Sequence, residues 1–161
     1  MTSDRAVLVA VDAALTEELA NLTYLQNKDF GLLDTVGDLV DAGKIKLYNV
    51  DSIDFDSFYS KSLPASIKIY NYNLYTRFLK EELVPYIQTE CSVHRIGIAG
   101  CSFGGYHCTN FALKNPDLVA HLFSMSGAFS IKSFMKGYYD DNVYFNDPMD
   151  FMQNAESWKY N

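Results

Sequence analysis

The stretch Gly97-Ile98-Ala99-Gly100-Cys101-Ser102-Phe103-Gly104-Gly105 puts a serine between two glycines, each two positions away. It lies between an apolar run that reads as a strand and a segment that reads as a helix. A serine on so sharp a strand-to-helix turn projects its hydroxyl from the end of a sheet, where it can act as a nucleophile. The turn leaves no room for side chains at the flanking positions, which Gly100 and Gly104 satisfy. Gly105 lets the helix pack closely. The backbone N–H of Phe103 points to where an oxyanion would develop, helped by the helix N-terminus. A non-glycine residue in such a turn costs about 1–3 kcal/mol, which is seldom kept without use. The bland reading is a glycine-rich turn with a capping serine.

Other uses of these glycines fail on particular residues. A P-loop requires lysine after its last glycine, where Tyr106 stands. A dinucleotide fingerprint requires GxGxxG, and Gly97 and Gly100 are spaced GxxG. Cys101 is one position out of register with the flanking glycines and is read as a packed thiol.

The elements that would hold this turn follow from hydrophobic periodicity. Ala6 to Val11 is a continuous apolar run that suits a buried parallel strand. Residues 13–26 and Leu32 to Ala42 carry helical spacing, and Gly43 is a plausible stop for the second helix. Ile45 to Val50 reads as a strand, residues 53–66 as a polar and aromatic loop, and 67–88 as a long helix that Pro85 should kink or end. Arg95 to Ala99 is the strand into the turn, Gly104 to Asn115 the helix out of it, and Leu118 to Met125 contains another strand. Strands alternating with helices imply a parallel sheet with helices on both faces, in one domain over residues 1–161.

Composition narrows the function classes. Thirteen basic against twenty acidic residues give a net charge of −7, which argues against nucleic acid and anionic membranes as partners. No apolar run approaches the roughly 20 residues of a membrane span. The short run at Ala6 to Val11 is bounded by Asp4 and Asp12 and does not read as a signal peptide. Three cysteines, Cys91, Cys101 and Cys108, in no CxxC spacing, suggest reduced thiols and neither disulfides nor zinc. The expectation is a cytoplasmic protein without metal.

The sequence GIAGCSFGGYHCTNFALKNPDLVAHLFSMSGAFSI, starting at Gly97, resembles the esterase D and antigen 85 group of α/β-hydrolases. Residues 41–54 (DAGKIKLYNVDSID) and 138–151 (YYDDNVYFNDPMDF) resemble the regions before and after it in that group. The resemblance implies a three-layer α/β-hydrolase fold with a mostly parallel sheet, here incomplete. It implies hydrolysis of small acyl esters or thioesters with no cofactor. Ser102 matches the nucleophile and Phe103 an oxyanion N–H donor. Tyr106 and Ser126 are candidates to line the substrate pocket, with core or rim packing an equal alternative for each.

The departures concern the rest of the catalytic set. In this fold an acid and then a histidine follow the serine along the chain, whereas His121 is the last histidine here. Asp12-Ala13-Ala14 follows Val11 where the family usually has glycine. The chain reads as the middle of a longer hydrolase. His107 is five residues past Ser102, about 500° around a helix, and His94 and His121 fall away from the sheet end that carries the serine. Each reads as surface or structural, with His107 in an altered geometry or a second subunit as possible sources of a base. Asp140 or Asp141 could be the acid, though a solvated turn is the plainer reading; Asp51 and Asp54 read as caps. Three functions stay open. One is an esterase-type hydrolase acting through a Ser102 acyl-enzyme. Another is an acyl transferase using the same turn. The third is a truncated or degenerate hydrolase fold that does not catalyse, acting as a binding or oligomeric subunit whose exposed sheet edges favour a homo-oligomer.

Overall fold

The computed structural model describes residues 6–11 and 32–156. The expected helix over 13–26 and the segment after Val11 lie outside the described residues. Four parallel strands form the sheet: β1 (Ala6–Val11), β2 (Ile45–Val50), β3 (Ile96–Cys101) and β4 (Val119–Met125), in the order β2-β1-β3-β4. Helix α1 (Leu32–Asp41) leads into β2, and α2 (Ala65–Phe78), a π-helical turn (Leu79–Leu83) and α3 (Val84–Cys91) lead to β3. Helix α4 (Phe103–Lys114) joins β3 to β4, and the short helices α5 (Asp141–Tyr144) and α6 (Pro148–Phe151) follow.

The chain moves one way from β1 to β2 and the other way from β2 over to β3 and β4. Right-handed crossovers in opposite directions put α1 on one face and α2, α3 and α4 on the other. The strand order therefore reverses between β1 and β3, and the crevice at the carboxyl ends of these strands is where open α/β sheets bind ligands. Val11, the last residue of β1, pairs with Gly100 two residues before Ser102.

Register fixes what each face buries. Val7, Val9, Val11, Ile96, Ile98 and Val119 share one face by the strand pairing. They join Ile69, Tyr72, Tyr75, Leu79, Val84 and Ile87 of the long helix and Phe103, Tyr106 and Phe111 of α4 in one core. The opposite face carries small residues, including Ala10, Gly97 and Ala99. A Cβ on Gly97 would stand 3.2 Å from the Val7 carbonyl oxygen.

Two helix ends behave differently. After α1, Gly43 takes φ +67° and Lys44 N–H donates to the Leu39 carbonyl at 2.8 Å, a left-handed stop open to glycine at little cost. Pro85, in contrast, does not end the long helix, which continues to Cys91. The π-helical turn just before it widens the winding where the proline ring would strike the preceding turn.

The loop between β2 and α2 is polar in sequence but well packed. Its Phe58 is 1% exposed and meets Tyr72, Phe103, Tyr106 and Phe134, with ring centroids 4.8–6.1 Å away. Phe58→Ala should lower stability by about 3–5 kcal/mol in chemical denaturation, because the cavity would open between α2, α4 and the loop.

Candidate active site

Ser102 sits between β3 and α4 with φ 54° and ψ −117°. It is exposed and makes no side-chain capping bond to the helix, which leaves the hydroxyl available. This positive φ belongs to a residue with a Cβ, and the cost is retained because the surroundings fix the turn. Ser102 N–H donates to the Met125 carbonyl at 2.8 Å, tying the turn to the end of β4. A Cβ on Gly100 would come within 2.3 Å of the Gly104 carbonyl oxygen and 2.9 Å of the Cys108 sulfur. One on Gly105 would meet the Ser124 hydroxyl at 2.9 Å and the Gly127 Cα at 3.0 Å. Both glycines are therefore steric requirements of the turn.

Phe103 opens α4, so its N–H has no acceptor within the helix and lies at the positive end of the helix dipole. Its ring is 2% exposed, stacked on Tyr106 at 4.9 Å and on Tyr59 at 5.2 Å. Ser126, at φ 52°, directly follows the strand end that accepts the Ser102 N–H, and it is exposed. Ser102 and Ser126 thus stand on neighbouring strand ends at one edge of the sheet. Tyr106 does not join them. It is fully buried, and its hydroxyl donates to the Asn146 carbonyl at 2.8 Å, so its side chain belongs to the core and not to a pocket wall.

His107 is 2% exposed, packed against Phe103, Tyr72 and Tyr106 at 5.0–5.4 Å. Its Nε2 lies 2.9 Å from Asp54 Oδ1, and since a carboxylate only accepts, Nε2 carries the hydrogen. Asp54 is fully buried and also accepts from the Ser52 hydroxyl at 2.8 Å. This corrects the capping role expected of Asp54: its carboxylate is the inward partner of the elbow helix. His107 is thus held within the core by Asp54. His94 precedes β3 and His121 lies within β4; among the described residues no histidine hydrogen-bonds Ser102.

Two acids are similarly committed. Asp140 caps α5, accepting the Val143 N–H at 2.9 Å, the Tyr138 hydroxyl at 2.8 Å and the Asn142 amide at 3.0 Å. Asp147, which the sequence did not single out, is fully buried and clamps the loop after Ser126, accepting from the Ser130 hydroxyl at 2.6 Å and the Ile131 N–H at 3.0 Å. Burial pushes the Cys108 thiol up to about 12, which keeps it protonated and inert. No group of His, Cys, Asp and Glu among the described residues could hold a metal ion.

A parallel sheet whose strand order reverses beside a strained serine, followed at once by a helix, is the architecture of an α/β-hydrolase fold, with Ser102 at the strand-to-helix elbow. Several solved structures share that fold. A ferulic acid esterase matches at TM-score 0.57 and 19% identity, over 98% of this chain and 62% of its own. The S-formylglutathione hydrolase FrmB of Staphylococcus aureus matches at 0.56 and 19%, over 96% and 57%. FphF, a fluorophosphonate-binding serine hydrolase of Staphylococcus aureus with substrate bound, matches at 0.54 and 20%, over 96% and 60%. The chain therefore spans about three fifths of the length of these structures. No curated protein matches the sequence. The model of the family described as "Putative esterase" matches residues 21–161, and the chain belongs to that family.

Removing one partner of the Asp54–His107 pair leaves the other buried and unmatched. Asp54→Ala should cost about 1–3 kcal/mol of stability by denaturant titration, and Asp54→Asn, which keeps an acceptor oxygen, should cost less.

Proposed function

We propose that the chain is an esterase-type serine hydrolase whose nucleophile is Ser102, acting on small acyl esters or thioesters. The observation that carries this reading is the strained, exposed Ser102, locked by glycines that the turn cannot do without. The Ser102 hydroxyl attacks the acyl carbonyl, the Phe103 N–H donates to the developing oxyanion, and the alcohol or thiol leaves. Water then releases the acid from the acyl-enzyme; transfer to another alcohol would use the same steps. Ser126, at the adjacent strand end, lines the acyl site. With His107 held by Asp54, the base is a histidine of another subunit, which takes the Ser102 proton and returns it to the leaving alcohol or thiol.

That same commitment of His107 favours a second reading, in which the elbow persists without a triad and the chain acts as a binding or oligomeric subunit. An elbow lacking its base retains only about 10³–10⁴-fold catalysis over water. Leu122, Phe123 and Met125 of the edge strand β4 are exposed, which supports self-association under either reading. Among the described residues no helix is long and apolar enough to cross a membrane. The three free cysteines fit a reducing compartment, and we place the protein in the cytoplasm.

Intact-mass labelling with a fluorophosphonate separates the two readings. The hydrolase reading predicts one label per chain, lost in Ser102→Ala. Absence of label on folded protein would sink it and leave the non-catalytic subunit.

A further inference from the structure

A cleft of about 410 Å³ opens at the start of α2, between the segment 61–68 and the segment 134–138. Lys61, Lys68 and Lys136 line it, with the hydroxyl-bearing Ser62, Ser66 and Tyr138. No carboxylate is among its lining residues; Asp140 accepts the hydroxyl of the lining Tyr138 at 2.8 Å, and Asp56 lines a neighbouring cleft that shares Lys61. This grouping of like charge occurs in a chain with a net charge of −7.

Lys68 distinguishes the cleft from a chance cluster of surface lysines. It is only 5% exposed. Its ammonium donates to the Phe58 carbonyl at 3.0 Å, a neutral partner. Among the described residues no carboxylate forms a salt bridge with Lys61, Lys68 or Lys136. A buried ammonium without a counter-charge is costly. Burial holds it below the usual lysine range, and the Lys136 charge pushes it the same way. The helix adds to the field: α2 is capped by Pro64, which offers no side-chain acceptor, and its first turn contains no acidic residue. The free N–H groups and positive dipole end at Ala65 and Ser66 therefore border the same space as the lysines.

We propose that this cleft binds a small oxyanion, a phosphate or a carboxylate, through Lys61, Lys68, Lys136 and the N-terminus of α2. The anion supplies the counter-charge that Lys68 lacks, and charge-assisted bonds from ammonium groups to its oxygens hold it. None of the residues lining the cleft is one assigned to the Ser102 chemistry, although Phe134 at its wall packs on the Phe103 ring at 5.1 Å.

The test is calorimetric titration of the full chain at constant ionic strength, with inorganic phosphate in one arm and succinate in the other. Saturable one-to-one binding is expected in at least one arm. Phosphate alone would identify a phosphoryl group as the ligand, and succinate alone an organic acid. Lys61→Gln with Lys136→Gln, both on exposed side chains, should weaken that binding by about tenfold or more. Lys68→Met should abolish it while circular dichroism shows the variant still folded, since it removes the buried ammonium together with its bond to the Phe58 carbonyl. No saturable binding in either arm would overturn the proposal, as would a double variant that titrates like the unmodified chain.

Discussion

The turn at Ser102 holds a side-chain-bearing residue at a positive φ, and much of the described fold serves to keep it there. Gly100 lets the strand pass within contact of the Gly104 backbone, and Gly105 lets the helix settle against Ser124 and Gly127. The Ser102 N–H is anchored to the end of β4. Gly127, in its turn, leaves no space for a Cβ beside Ser124 and the Phe129 ring. Strain of this kind survives only when several neighbours fix the same geometry together, and here a strand, a helix and a strand end all do so.

Behind the turn lies a polar and aromatic support that reaches across the chain. The rings of Tyr59, Phe58 and Phe134 surround Phe103, and the His107–Asp54 pair ties the elbow helix to the loop after β2. Farther along α4, Asn110 donates to the Tyr72 hydroxyl and to Asn146, and Asn146 donates to Asn73 of α2. These bonds link α2, α4 and the C-terminal helical turns. Buried polar groups joined in this way favour one arrangement of the helices, and only Asn110 Oδ1 in this set is left without a partner.

The sheet and the elbow were legible because their signals are local. A continuous apolar run makes β1, and glycines at fixed offsets make the turn. The long helix was legible too, but the passage through Pro85 was not, since the π-helical turn that accommodates it is set by packing. Asp54 and His107 lie 53 residues apart, and nothing in either neighbourhood announces the other. Tyr106 shows the same limit: a tyrosine beside the elbow can face a pocket or the core, and only its bond to Asn146 decides for the core. Asp147 gives no local sign that it will be buried at the foot of the loop after Ser126.

The central claim is that the backbone at residue 102 is strained for the sake of the hydroxyl it presents. Comparing the unfolding free energies of Ser102→Gly, Ser102→Ala and the unmodified chain tests it most directly. Glycine adopts a positive φ at little cost, so Ser102→Gly should be more stable than both others by about 1–3 kcal/mol, while Ser102→Ala should resemble the unmodified chain. A glycine variant no more stable than the alanine variant would mean that the turn holds no strain, and the proposal that Ser102 is the nucleophile would lose its physical basis.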